Sequence, residues 1–322
     1  MKFKLKLTVV CFSFIILLSF TVHLLSQESA TNVNVKIMNP YAGSGFYVKG
    51  NTHCHNAPGN LGRELWDVVT DYRNKAYNFI VLTHYFWQNC SNYSSEDFLC
   101  INGQEMGHPL GHILGLGTNK EIDPDLDQQE IIDEIKRQGG VVEIGHPYTF
   151  RRAILFRLKG IDLFEIMNYG HDIIQRRYNL GIEPTKLQLE LWDELLRKGE
   201  KVYAVAVDDS HFPYERGHYW VMCKVKSLDK ASVLQALKSG ACYSSSGPKM
   251  DFDVERNTIT AYCHSSFPIK HMVVKTALLS RSSKNNFISF TVRSPVHKYV
   301  RFECEDEAGF KAFSNPFFIS GG

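Results

Sequence analysis

Between residues 46 and 243, short apolar runs alternate with segments in which apolar residues recur at helical spacing. The runs that resemble strands cover residues 46–52, 78–83, 98–103, 112–117, 140–145, 161–167 and 201–207. Helical spacing is found over residues 61–75, 126–138 and 184–198, and glycines stand where the second and third of these helices would stop. Strands that alternate with helices predict an α/β fold with parallel pairing, either a barrel or a doubly wound sheet.

The pattern changes after Pro248. Short alternating apolar runs with turn residues between them, and no helical period, cover residues 251–255, 258–264, 271–275, 287–293 and 299–304. Such runs predict a small antiparallel β-sandwich that buttresses the first domain. A chain of 322 residues is long enough for both, so we place a catalytic domain at 46–248 and an accessory domain at 249–322.

The N-terminal segment has the features of an export signal. Three lysines precede an apolar run over residues 7–25, and a polar stretch follows at 26–30. This pattern predicts either a signal peptide or an uncleaved membrane anchor over residues 1–30, followed by a linker at 31–45. Under both interpretations the lysines orient the rest of the chain outside the cytoplasm, as a periplasmic, extracellular or membrane-anchored protein.

The charge of the chain argues against nucleic acid as a partner. The formal net charge is +2, and without residues 1–26 the chain has 33 basic against 34 acidic residues. A basic footprint of the kind that binds phosphate backbones is therefore missing.

Seven cysteines follow the N-terminal segment: Cys54, Cys90, Cys100, Cys223, Cys242, Cys263 and Cys304. An odd number in an exported chain leaves at least one thiol unpaired. A Cys90–Cys100 bridge would close one short loop, whereas most of the others lie in apolar runs and are expected to be buried, inert thiols.

Residues of the types that bind metals follow one apolar run after another. They are His53 and His55, His84, Glu105, His146, and Asp209 with His211, while Glu165 lies within the run at 161–167. In parallel α/β barrels the carboxyl ends of the strands form the active site. We therefore expect these side chains to converge.

The spacing of these residues suits metal binding. In an extended segment His53 and His55 project to the same side, and so do Asp209 and His211, because side chains alternate with a period of two. Glu105 is a carboxylate and can bridge two cations held about 3.5–4 Å apart. Each motif alone has an ordinary interpretation, such as hydrogen-bonded histidines, a solvated glutamate or a helix N-cap. Together, and in this order, they predict a metal site.

These motifs resemble those of the polymerase and histidinol phosphatase (PHP) superfamily of metal-dependent phosphoesterases. The resemblance is to exported or stand-alone members with a C-terminal β-domain. It covers residues 46–247, and its matching stretches are 50–55 (GNTHCH), 79–84 (FIVLTH), 103–105 (GQE), 139–147 (GGVVEIGHP), 160–168 (GIDLFEIMN), 192–196 (WDELL) and 207–211 (VDDSH).

The resemblance implies a distorted seven-stranded (β/α) barrel that holds two or three ions of Mn, Zn or Fe. Carried over by position, the ligands of the first ion are His53, His55, Glu105 and Asp209. Glu105 bridges to a second ion shared with His146 and His112. His211 belongs to a third site.

Two departures from the family pattern fall on the third site. The family usually has Thr-Asp-His where this chain has Thr83, His84 and Tyr85, and Ser-Asp-Gly where it has residues 58–60 (PGN). Either His84 compensates, as a ligand or as an acid/base group, or the third site is degraded. We therefore expect two ions.

The sequence thus predicts a metal-dependent hydrolase, with phosphate esters as the favoured substrates. His84, His211 and Glu105 are the candidate catalytic residues, and a small anionic substrate is the expected partner. Its candidate contacts are Arg151, Arg152 and Arg216. Two alternatives remain open: hydrolysis of a carboxyl ester or carbamate on the same site, and a catalytically degraded, membrane-anchored binding protein.

Overall fold

The computed structural model describes residues 34–56, 65–109 and 111–322. The strands up to residue 245 are β1 (Val35–Met38), β2 (Phe46–Cys54), β3 (Phe79–Leu82), β4 (Leu99–Met106), β5 (His112–Leu116), β6 (Val141–Gly145), β7 (Leu163–Asn168), β8 (Tyr203–Val207), β9 (Trp220–Val225) and β10 (Cys242–Ser245). The later strands are β11 (Lys249–Glu255), β12 (Thr258–His264), β13 (Ile269–Thr276), β14 (Ser280–Ser283), β15 (Phe287–Thr291), β16 (Tyr299–Asp306), β17 (Lys311–Ser314) and β18 (Phe317–Gly321).

The helices are α1 (Leu65–Asn74), α2 (Gln128–Arg137), α3 (Arg152–Leu155), α4 (Tyr169–Tyr178), α5 (Pro184–Lys198) and α6 (Lys230–Ser239). Their ends follow local chemistry. Asp127 caps α2 by accepting hydrogen bonds from two backbone N–H groups of its first turn. Gly199 ends α5 in the left-handed region, which glycine enters without steric cost.

The strands form a mixed α/β arrangement: a 15-stranded sheet that contains the parallel pairs, and a separate three-stranded antiparallel sheet. Parallel pairing is confirmed for β2–β3, β3–β4, β6–β7 and β7–β8. It is wrong for β5, which runs antiparallel to both neighbours. The connection from Met106 to His112 is too short for the crossover that a parallel pair requires.

The series of strands from β2 to β8 curls back on itself. The backbone N–H of Asp209 donates to the carbonyl oxygen of His53 at 2.9 Å, and that of His55 donates to the oxygen of Ser210 at 3.0 Å. The chain just after β8 therefore meets the end of β2, and the residues that follow these strands lie together.

Strand pairing includes the segment expected to be a linker and crosses the expected domain boundary. Strand β1 lies within the segment expected to be a linker, yet it pairs with β18 from Val35 opposite Gly321 to Met38 opposite Phe318. Strand β10 pairs with β9 on one side and β17 on the other. Strands on both sides of residue 248 thus belong to one sheet, because their edge groups satisfy each other's hydrogen bonds.

The C-terminal strands form two antiparallel layers. Strands β11, β12 and β15 make the three-stranded sheet, and β13, β16 and β17 belong to the larger one. An apolar cluster that includes Met250, Ile259, Val274 and Phe302 fills the space between them. Arg301 on β16 is fully buried and donates two hydrogen bonds to Asp193 on α5, so the larger sheet is linked to this helix.

The cysteines form three disulfides among the described residues. The Cys90–Cys100 bridge, which the sequence allowed as one possible loop closure, is present. Cys223–Cys242 joins β9 to β10, and Cys263–Cys304 joins the two C-terminal layers. The expectation of inert thiols is wrong for these four, because strand pairing brings residues distant in the sequence together. Of the cysteines that the structure describes, Cys54 is unpaired, and it is buried.

The segment expected to direct export, residues 1–30, lies outside the described residues. Among the residues that the structure does describe, no helix combines the length and apolarity needed to cross a bilayer.

Candidate metal centre

Five side chains expected to bind metal meet at one end of the strand series. His53 is near the end of β2 and His55 follows that strand. Glu105 is near the end of β4, and His146 and Asp209 follow β6 and β8. All five are buried. The side chain of Cys54, between the two histidines, points away and contacts the carbonyl oxygen of Val81.

The first ligand group has the dimensions of a metal site. The Nε2 atoms of His53 and His55 lie 3.1 Å apart. They lie 3.2 and 3.4 Å from Oδ1 of Asp209, and 3.5 and 3.3 Å from Oε2 of Glu105. Four ligands placed tetrahedrally at roughly 2.0–2.1 Å from an ion would be about 3.3–3.4 Å from one another. The residues present therefore fit a divalent ion.

Glu105 also faces a second group with its other oxygen. Oε1 lies 3.4 Å from Nε2 of His146 and 2.7 Å from Nδ1 of His112. One ligand atom from each of these three residues can share an ion. His112 reaches this place because β5 is antiparallel, so the start of β5 lies opposite Gly145 at the end of β6.

Buried groups around the ligands hold the histidines in place. Nδ1 of His53 contacts Oε1 of Glu165 at 2.6 Å. Oε2 of Glu165 accepts hydrogen bonds from the backbone N–H of His146 and the side-chain amide of Asn168. Carboxylates placed behind a histidine in this way fix its tautomer and orientation toward a metal.

The backbone is strained at two of the candidate ligands. His146 has φ 27° and Asp209 has φ 49°, in the left-handed region that non-glycine residues seldom enter. Such conformations cost about 1–3 kcal/mol each and persist where the surroundings enforce them, typically at functional sites.

The electrostatics of the site favour charged carboxylates. Burial alone would raise the pKa of Glu105, but His53 and hydrogen bonds from His112 and His146 hold it well below its usual range. The pKa of Asp209 is likewise held well below its usual value against burial, chiefly by His53. In contrast, burial and the neighbouring Glu165 raise the pKa of Glu143 well above its usual value.

His211 and His84 stand beside the first group. The ring of His211 stacks on that of His55, with 4.2 Å between centroids, and its Nε2 lies 3.0 Å from the hydroxyl of Tyr85. His84 is buried, and burial together with His55 and His211 lowers its pKa to about 4. Among the described residues, neither histidine belongs to a group of three that could hold an ion.

The arginines expected to bind substrate lie elsewhere. Arg216 is fully buried and donates from its Nη1 to Asp71 at 2.5 Å, which corrects the expectation that it contacts a ligand. Arg152 is exposed and pairs with Glu194. Arg151 is exposed as well, before the start of α3, and neither Arg151 nor Arg152 lines the cavity over the metal ligands. Being close to a ligand in the sequence did not place these side chains in the site.

Two further side chains of the site were not predicted from the sequence. His171, in the first turn of α4, lies 3.7 Å from Oδ2 of Asp209. Glu143, in the middle of β6, accepts a hydrogen bond from Thr52 and can join His53 and Glu165 in a ligand group. The sequence pattern could have indicated both residues. His171 comes three residues after the end of an apolar strand, and Glu143 is an acid inside an apolar run.

A cavity of about 350 Å³ opens over these groups. Its lining includes Tyr85, Glu105, His146, His171 and Asp209. Among the described residues that line it, none is Lys or Arg. Within the part of the lining that the structure describes, the side chains that can carry positive charge are the histidines.

Comparisons with known proteins give partial likenesses. No family model matches the chain. An uncharacterised protein of Methanocaldococcus jannaschii is 28% identical over 135 residues, covering 40% of this chain and 54% of that protein. A second uncharacterised protein of the same organism is 35% identical over 74 residues, covering 22% and 43%. The chain thus spans about half the length of the curated relatives it matches.

Two solved structures are similar at low sequence identity. A two-domain protein from Bacteroides vulgatus, described as containing a predicted PHP-like metal-dependent phosphoesterase, is 13% identical with a TM-score of 0.46, over 88% of this chain and 98% of that one. A lesion-specific endonuclease from Pyrococcus furiosus is 13% identical with a TM-score of 0.42, over 60% of this chain and 56% of that one.

Proposed function

We propose that this protein is an exported, metal-dependent hydrolase of phosphate esters that acts on a small anionic substrate. The observation that carries the proposal is the position of Glu105, whose Oε2 lies 3.3 Å from His55 while its Oε1 lies 3.4 Å from His146. A carboxylate placed between two ligand groups suits a pair of cations. Two divalent ions supply Lewis-acid activation of water and neutralise the oxygens of a displacement at phosphorus.

The ligands divide into two sets that share Glu105. His53, His55 and Asp209 complete the first set, and His112 and His146 complete the second. Imidazole nitrogens combined with carboxylate oxygens suit Mn, Zn or Fe. We propose two ions, in the distorted seven-stranded barrel formed by β2 to β8.

Tyr85 and His211 are the proposed route for the proton. Nδ1 of His211 lies 3.2 Å from the carbonyl oxygen of Asp209, which can only accept a hydrogen bond, so Nδ1 carries the proton. Nε2 is then the acceptor for the hydroxyl of Tyr85. Tyr85 lines the cavity, so it can take a proton from the attacking water while passing its own to His211.

Two features support export. Three disulfides are typical of proteins that fold in an oxidising compartment. The apolar segment at the N-terminus, preceded by three lysines, is the proposed signal peptide or anchor.

The test combines metal content with hydrolysis. Purified protein is analysed by mass spectrometry for bound metal and assayed with added Mn or Zn on a phosphomonoester, a phosphodiester and an aryl carboxyl ester. We expect about two ions per chain and turnover of a phosphate ester. Glu105→Ala should lose most of both ions and the activity, whereas Glu121→Ala, an exposed glutamate outside the site, should retain both.

The alternatives predict different results. Turnover of the carboxyl ester alone, with metal present, would favour a carboxyl-ester or carbamate hydrolase. A full complement of metal with no turnover on any of the three would favour a binding protein. Full retention of metal by Glu105→Ala would contradict the bridging role.

A further inference from the structure

His171 faces the second ligand group from α4. It lines the same cavity as Glu105, His146 and Asp209. Its ring stacks on that of His146, with 4.2 Å between centroids and 27° between the planes. One ligand atom from each of His146, His171 and Asp209 lies within 4.8 Å of the others, which is close enough to share a cation.

The two oxygens of Asp209 serve different neighbours. Oδ1 lies 3.2 Å from Nε2 of His53 and 3.4 Å from that of His55. Oδ2 accepts a hydrogen bond from Asn168 at 3.1 Å and lies 3.7 Å from Nε2 of His171. Asp209 therefore faces two ligand groups with separate oxygens, as Glu105 does.

The free nitrogen of each ring can be identified. Nδ1 of His146 contacts the hydroxyl of Thr149 at 3.2 Å, and Nδ1 of His171 contacts that of Tyr148 at 2.6 Å. The Nε2 atoms are therefore the ones available to a cation. Nε2 of His146 has one lone pair and can bind one ion. The group of Glu105, His112 and His146 and the group of His146, His171 and Asp209 would therefore bind the same ion.

Tyr148 has the place of a positioning residue. A histidine that binds a metal usually donates its other ring N–H to an acceptor, which fixes the tautomer. The hydroxyl oxygen of Tyr148 lies at that position and also accepts a hydrogen bond from Gln175. Asn168 holds the backbone of His171 by accepting its N–H at 2.9 Å. The ring is thus held from two directions.

We propose that His171 is a ligand of the second ion, held in its binding tautomer by Tyr148, and that Asp209 bridges both ions together with Glu105. This inference rests on the proposed function, since it requires a centre that binds divalent cations. The second ion would then be bound by residues from β4, β5 and α4 and from the turns after β6 and β8. A protein ligand would thus also face this ion from the side of α4.

The test measures ion binding directly in the full chain. Wild type, His171→Gln, Tyr148→Phe, Glu105→Ala and His218→Gln are titrated with Mn²⁺, with free ion counted by electron paramagnetic resonance. His218 is the matched control, because its ring also stacks on an aromatic neighbour, Tyr169, but it belongs to no candidate ligand group among the described residues. Thermal melting of the metal-free proteins reports whether each variant folds.

We expect His171→Gln to keep one ion at the wild-type affinity and to bind the second at least about tenfold more weakly. Tyr148→Phe should weaken the same ion by about tenfold, and His218→Gln should match wild type. If His171→Gln melts early, Tyr148→Phe decides the question. If folded His171→Gln and Tyr148→Phe both bind two ions at wild-type affinity while Glu105→Ala loses metal, the role of His171 is overturned and the proposed function stands. A wild type that binds no Mn²⁺ would overturn the proposed function with it.

Discussion

Glu165 holds His53 through a 2.6 Å contact between Oε1 and Nδ1, and neither side chain is accessible to solvent. This contact leaves Nε2 of His53 directed at Asp209 and Glu105. Glu165, which stands in the sequence only as an acid within an apolar run, is therefore the group that orients the first ligand.

Replacing Glu165 should weaken metal binding without removing a ligand. Glu165→Gln keeps the shape of the side chain but removes the charge that orients and polarises His53, so we expect the affinity for the first ion to fall about 10–100-fold. Competition with a chelator of known affinity measures this. Glu190→Gln, on the exposed face of α5, is the control. An affinity equal to wild type in Glu165→Gln would show that this contact does not tune the ion.

The proton route predicts unequal effects for the two candidate histidines. His211→Asn should lower kcat by about 10²–10⁴-fold, the range for loss of a general acid/base group, with metal content unchanged. His84→Asn should have a smaller effect, because His84 is not among the residues that line the cavity. Steady-state kinetics on the best substrate compare them, and a larger loss in His84→Asn would reverse the assignment.

The Asp193–Arg301 pair predicts acid sensitivity. Burial would raise the pKa of Asp193, but Arg301 holds it below its ordinary value, and the pKa of Glu303 is lowered in the same way. A carboxyl whose pKa is lower in the folded state stabilises the protein above its unfolded pKa of about 4 and loses that effect as the pH falls through the folded value. The free energy of unfolding, from denaturant titrations between pH 7 and pH 3, should fall most steeply below about pH 4.

Breaking this pair should be costly at neutral pH. Arg301→Met removes the buried partner of Asp193 and Glu303 and leaves them only Lys275, so we expect a loss of about 3 kcal/mol in the free energy of unfolding. Lys270→Met, which removes the exposed pair with Glu305, should leave it nearly unchanged. Equal unfolding free energies for Arg301→Met and wild type would mean that the pair does not stabilise the contact between α5 and β16.

Thiol chemistry offers a check on the cysteine pairing. Cys54 is fully buried, and burial raises the pKa of its thiol to about 12, so it should not react with a thiol reagent in the folded protein. In full-length protein carrying Cys11→Ser, no thiol should titrate natively and one should titrate in denaturant without reductant. Three or more reactive thiols in denaturant would show that a disulfide is absent.

Much of the site could be predicted because its signals are local. His53 and His55 share one side of a strand through the period of two, and this needs no knowledge of the rest of the fold. The same holds for the capped helices and for the Cys90–Cys100 loop, whose ends are ten residues apart. Arg216 shows the limit of such arguments, since its place in the sequence beside His211 gave no information about its burial.

By itself the sequence determined the alternation of strands and helices and the residue types at the strand ends, because these depend on neighbours within a few positions. Only the tertiary structure decided that β5 runs antiparallel and delivers His112 beside His146, that α4 turns His171 toward Asp209, and that Cys263 meets Cys304 across two sheets. These relationships depend on pairing and packing between segments far apart in the chain, and no local pattern encodes which partner a segment will find.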